Sequence, residues 1–116
     1  MNVYHCMIEL KDPENALSFA AAAEDWFNYL TSKHLIGSYR LLRRKFGLAS
    51  SDHTDFIVEM EVEDMAKLES TFSKLSTIED HEEKMYRKMH DMIATSKIGF
   101  YRIYPDPIKR ERIALV

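Results

Sequence analysis

Cysteine, proline and glycine are scarce in this sequence of 116 residues, with one Cys, three Pro and three Gly. A lone thiol, Cys6, excludes an intrachain disulfide and makes a reducing cytoplasm the default compartment. Three glycines leave little room for a phosphate-cradling loop, and no Walker sequence, zinc-ligand spacing or serine nucleophile elbow occurs. The motifs therefore imply no cofactor and no metal site. Long apolar runs are missing as well. The uncharged stretch Ala16 to Ala23 is far too short to span a bilayer, and the start, Met1 to His5, lacks the basic region of a signal peptide. Neither sign of charge dominates: 16 Lys and Arg against 19 Asp and Glu give a net charge of -3. That balance offers no electrostatic footprint for nucleic acid or an anionic membrane.

What is present suits one soluble domain, with 46% hydrophobic and 30% charged residues and no repeat or linker. Residues 3–10 read as a strand, and Asp12-Pro13-Glu14 as a helix start, with Asp12 capping and Pro13 at the first helical position. Ala16, Phe19, Ala20, Ala23, Trp26, Phe27 and Leu30 then recur at steps of three and four, as one apolar stripe. Lys33 and His34 fill the last turn, and Gly37 is the expected stop. Residues 38–47 read as a second strand whose register stays open, because Tyr39 and Leu41 compete with Leu42 and Phe46 for the inner side. Residues 54–62 alternate cleanly, with Phe56, Val58, Met60 and Val62 on one face. A helical pattern from Asp64 carries Met65, Leu68, Phe72 and Leu75. It is expected to break at Thr77 to Asp80 and resume to about Thr95. Ile98 to Tyr104 is the expected last strand, stopped by Pro105 and Pro107. Residues 1–104 form the domain, and 105–116 a tail that either lies across a partner subunit or frays.

Strand, helix, strand, strand, helix, strand is the order of the ferredoxin-like split βαβ arrangement, an α+β fold. Right-handed crossovers would place the first and third strands centrally in an antiparallel sheet, with the helices on one face. Tyr4, Cys6, Ile8 and Leu10 then face the helices. His5, Met7, Leu42, Ile57 and Phe100 are left on the far face among charges, and a surface of that kind is seldom left bare.

On element order, length and face polarity, residues 1–104 resemble the dimeric α+β barrel superfamily, and within it small uncharacterised bacterial proteins. The resemblance implies a homodimer in which two sheets close into one barrel. Cofactor-free antibiotic-biosynthesis monooxygenases and haem-degrading monooxygenases belong to that superfamily. The haem-degrading members pair a strand-one Asn with a Trp and a His. Only Asn2 and His81 align loosely here, while Trp26 sits on the helical stripe, so haem degradation is not implied.

The candidate site is the set that alternation turns to the far face: His5, Glu59, Glu61 and Arg102, with Phe100, with Arg40 and Arg44 as neighbours and Tyr104 at the rim. Charges buried dry are costly unless paired. One reading is a wet or ligand-filled cavity in which His5 acts as acid or base and the arginines hold a small aromatic, anionic or enolic molecule. The alternative is a non-enzymatic dimerisation module whose ion pairs set register. Whether the chain is an enzyme is left open.

Other clusters carry less. His5 and Met7 share a side that Cys6 does not, so the three cannot close on one metal, and Cys6 reads as a small buried hydrophobe. His81 and His90 lie on opposite sides of one helix. His81, Met85, Met89 and Met92 share a face, which suits core packing better than a copper(I) site. Arg40, Arg43, Arg44 and Lys45 raise RNA binding, but Glu59 and Glu61 on the neighbouring strand would repel phosphates.

Overall fold

The computed structural model describes residues 2–45, 52–63, 66, 69–70, 73 and 80–104. The chain forms β1 (Asn2–Leu10), α1 (Ala16–Ser32), β2 (Tyr39–Arg43), β3 (Phe56–Val62), α2 (Asp80–His90) and β4 (Ile93–Arg102). The four strands make one sheet in the order β2-β3-β1-β4, and every pairing is antiparallel. This is the expected ferredoxin-like α+β fold, with the first and third strands central.

The core lies between the sheet and α1. Phe56, Val58, Met60 and Val62, the alternate residues of β3, are all buried, as are Ile8 and Leu10 of β1. Against them α1 presents Phe19, Ala22, Ala23, Trp26, Phe27 and Leu30. Ala22 joins the expected stripe, and Ala20 is only partly buried. From α2, Met89 is buried and Met85 and Tyr86 pack at the margin, so these methionines fill core space. His81 is exposed. On the other side of α2, Arg87 Nε donates to Glu83 Oε1 at 3.0 Å, an i,i+4 pair.

The start of α1 follows the sequence signal with one refinement. Asp12 Oδ1 accepts the Glu14 N–H at 2.9 Å, and Pro13–Asn15 forms a 3-10 turn before the α-helix begins at Ala16. The end of α1 corrects the expectation. His34, with φ 60°, takes the left-handed position, and Leu35 N–H returns to Leu30 C=O at 3.0 Å. Gly37 serves the sheet instead. Its N–H donates to Glu61 C=O at 2.8 Å, and a side chain there would press on Glu61 Cβ at 3.1 Å.

Strand β4 starts five residues earlier than expected, at Ile93, and ends at Arg102. Helix α2 stops at His90, and Met92 C=O accepts Lys11 N–H at 3.0 Å, which draws the chain straight into the sheet. Ile93, Thr95 and Ile98 favour that extended path. A register shift opposite Glu9 and Leu10 marks where β4 enters the ladder. Strand β2 is shorter than its expected ten residues, although Arg44 N–H still bonds Asp55 C=O at 2.9 Å. Of the helix expected from Asp64, the residues Ala66, Glu69, Ser70 and Ser73 are helical and exposed. Its apolar positions, the break at Thr77 to Glu79 and the tail 105–116 lie outside the described residues.

Candidate functional site

The register sorts the side chains of the sheet into rows. On the face away from the helices, Arg40, Glu59, His5 and Gly99 stand side by side across the four strands. The next row is Leu42, Ile57, Met7 and Lys97. Beyond it come Arg44, Asp55 and Glu9, and on the other side Glu61, Val3 and Tyr101. Successive rows are about 7 Å apart, two residues of strand rise. An apolar bar thus runs between two lines of charge.

In the first row, Arg40 grips Glu59 through Nη2 at 2.6 Å and Nε at 3.1 Å, both to Oε1. Glu59 Oε2 faces His5 Nδ1 at 3.3 Å. A carboxylate can only accept, so in the neutral ring this contact places the imidazole proton on Nδ1 and leaves Nε2 unprotonated. The Arg40 hydrogen bond, against a partial desolvation, holds the Glu59 carboxyl below the usual glutamate range, and His5 adds to the effect. The His5 and Glu59 side chains are only 24% and 26% exposed although no described strand or helix covers this face, which reflects how closely the row is packed.

Tyr101 was not among the candidates, and it completes the surroundings of His5. Its ring meets the imidazole edge-on, centroids 5.7 Å apart and planes at 77°. Gly99 makes this possible, because a Cβ there would lie 2.7 Å from Tyr101 Cε1. The tyrosine folds back over the glycine onto the neighbouring strand. A glycine two residues before an aromatic in a last strand was the available signal.

Two candidates move to the other face. Phe100 pairs with Tyr4 and Arg102 with Asn2, so both point to the helix side of β4, away from His5. Tyr104 lies past the end of the strand, 71% exposed, and does not reach the row. Glu61 is one row away and accepts Ser38 Oγ at 2.6 Å. The ambiguity in β2 resolves: Tyr39 and Leu41 pack on the core, while Arg40, Leu42 and Arg44 take the far face.

The third row is also coupled. Asp55 Oδ2 accepts Leu10 N–H at 2.9 Å, and Asp55 Oδ1 lies 3.5 Å from Arg44 Nη2. A hydrogen bond to Asp55 raises the Glu9 carboxyl above its usual range. Beside this row, at the β2–β3 end of the sheet, is an open groove of about 190 Å³. Leu42 and Ile57 line it, together with Arg43, Arg44, Lys45 and His53.

On the helix side, burial pushes the Cys6 thiol up and, with Cys6 and Tyr86 adding, the Tyr4 hydroxyl up to about 12. Neither group is poised to ionise, which suits Cys6 as a packing residue. Asn2 Nδ2 donates to Glu63 C=O at 2.8 Å, Trp26 is buried against α2, and His81 is exposed. Asn2 and His81, the two residues loosely aligned with a haem-degrading set, make no contact with each other among the described interactions. Among the described residues no three His, Cys, Asp or Glu side chains converge as a metal would require, and no helix is long and apolar enough to cross a membrane.

The model of a family of unknown function, DUF6614, matches residues 1–116. No curated protein matches the sequence significantly. Among solved structures, a protein from Agrobacterium tumefaciens is similar at TM-score 0.68 and 14% identity, over 92% of this chain and 98% of that one. A dimeric ferredoxin-like protein of unknown function from Jannaschia follows at TM-score 0.62 and 12% identity, over 89% and 100%. SnoaB, a cofactor-independent oxygenase from Streptomyces nogalater, has TM-score 0.59 and 8% identity, over 91% and 94%. These likenesses are likenesses of fold.

Proposed function

We propose a function for a chain that belongs to DUF6614, a family of unknown function: it is a homodimer whose two far sheet faces enclose a site for a small aromatic or anionic molecule. The observation that carries this reading is the His5–Glu59–Arg40 row beside the Leu42–Ile57–Met7 bar, on a face that no described element covers. Large apolar side chains beside a hydrogen-bonded charge row suit a cover that is itself amphipathic, and the same face of a second copy is the simplest one. Dimeric relatives of the fold support that choice.

Within such an enclosure Glu59, anchored by Arg40, orients the imidazole through Nδ1. His5 Nε2 then removes a proton from an acidic O–H or C–H of the bound molecule. Tyr101 and the apolar bar exclude water from one side of it. Similarity in fold to a cofactor-independent oxygenase is compatible with a reaction that begins in this way. The second reading, a dimerisation module with a register-setting ion-pair network, is favoured by one observation: Glu59 is already satisfied by two partners.

Native mass spectrometry of the purified protein separates the two. The first reading expects a dimer that retains a small molecule and loses it on His5→Ala. A dimer with no bound molecule, loosened by Arg40→Ala, supports the second. A monomer at micromolar concentration rejects both.

A further inference from the structure

The groove at the β2–β3 end has a charge unlike the rest of the far face. Arg43, Arg44, Lys45 and His53 line it, and among the described residues no acidic one does; Arg43, paired with Phe56, turns its side chain to the helix side. Asp55, beside Arg44, is already shared among Arg44, the Leu10 N–H and Glu9. Arg43, Lys45 and His53 have no ion-pair partner among the described residues. The floor of the groove is Leu42 and Ile57, the same two side chains that begin the apolar bar leading to Met7. Cation cluster, apolar bar and His5 row therefore follow one another along the strands. From the Arg44–Asp55 row to the Glu59–His5 row is four residues, about 13 Å.

We propose that this groove holds the anionic end of the molecule bound on the sheet, which makes the ligand an amphipathic anion. Its carboxylate, sulfonate or phosphate lies at Arg44, Lys45 and His53, and its apolar body covers Leu42, Ile57 and Met7. The far end of that body reaches His5. This assignment rests on the ligand-binding reading above and specifies its substrate class. Arginine and lysine donors at an open mouth suit a charged head that stays partly hydrated, while the bar beyond offers nothing to a second charge. A neutral molecule of the same shape would leave the cations without a counterion and gain only the apolar contact. A nucleic acid strand is disfavoured, because its phosphates would continue across Glu59 and Glu61.

Two fluorescent probes with the same aryl body test this on the full chain: anilinonaphthalene sulfonate, which is anionic, and neutral N-phenyl-naphthylamine. The wild type is expected to bind the sulfonate saturably and about tenfold more tightly than the neutral probe. Reversing the exposed cations, in the double variant Lys45→Glu, His53→Glu, should erase that preference and leave the neutral probe unaffected. Leu42→Asp should weaken both. Equal affinity for the two probes in the wild type, or a preference that survives charge reversal, overturns the anion assignment while the binding site stands. Failure of both probes to saturate removes the ligand-binding reading itself, and the assignment with it. Sedimentation of each variant confirms that the assembly is unchanged.

Discussion

The two faces of β3 differ by one residue in phase and by almost everything in physics. Toward the helices, Phe56, Val58, Met60 and Val62 are 1–4% exposed and locked against α1. Away from them, Ile57, Glu59 and Glu61 share a surface with arginines and a histidine that no described element covers. The inner face fixes the protomer by dispersion and excluded water, and close packing there tolerates little change. The outer face holds charges that are hydrogen-bonded but not removed from solvent, so it contributes little to folding and much to what it can meet.

The sharpest way to expose that contrast is truncation at adjacent positions. Phe56→Ala, in contact with Phe19 at a ring separation of 5.0 Å, should cost about 3–5 kcal/mol in urea unfolding. Ile57→Ala, one residue along, should cost about 1 kcal/mol or less within the protomer. If the two changes cost the same, the two faces are not the separate layers described here.

A charge placed on the outer face comes next. Ile57→Asp should leave the far-ultraviolet circular dichroism intact but weaken self-association by about 2 kcal/mol or more, halving the mass found by light scattering at micromolar concentration. A variant that stays dimeric would take the apolar bar out of the subunit interface.

The ion-pair row should yield less. Glu59 is more easily ionised in the folded chain than in the unfolded one, so its contribution is complete above the ordinary glutamate range. It is lost as pH falls through the depressed value. Glu59→Gln should therefore be less stable than wild type at neutral pH by at most about 1 kcal/mol, with the two denaturation curves converging in acid. Curves that remain parallel down to the lowest pH would mean the carboxylate is not stabilised by Arg40.

Smallest of all should be Gly99→Ala. Displacing the Tyr101 ring should change stability by no more than about 0.5 kcal/mol, since a strand tolerates alanine at least as well as glycine. The change should appear instead as a loss of ring-current shift at the His5 Hε1 proton. An unmoved resonance would separate the tyrosine from the histidine in solution.

How far the sequence could be read follows the same division. Alternation in 54–62 and the three-four spacing of α1 each oppose a buried face to a wet one, so element, face and core were all visible in them. His5 and Glu59 were placed on one side by alternation, whereas the side of Arg40 stayed open until the pairing of β2 with β3 fixed it. Strand β4 has no such pattern: Ile98 and Phe100 point one way, Tyr101 and Ile103 the other, and all four are exposed. With apolar residues in both phases nothing local sets the register, which depends on the turn after α2 and on the shift opposite Glu9 and Leu10. That is why Phe100 and Arg102 were expected on the wrong face and Tyr101 was missed. The helix end failed for another reason, since glycine is the usual left-handed residue and here a histidine takes the role.

At the margin of the sheet, β4 bonds β1 along one side, and among the described residues no strand bonds its other side. Ten residues of such backbone, with Lys97 and Arg102 as its only charges, form a template on which a stray extended chain can grow. Concentrated or warmed solutions of the protein should therefore clump through this strand before the core melts. A proline or a pair of lysines at outward-facing amides of β4 would be the economical remedy for anyone preparing it.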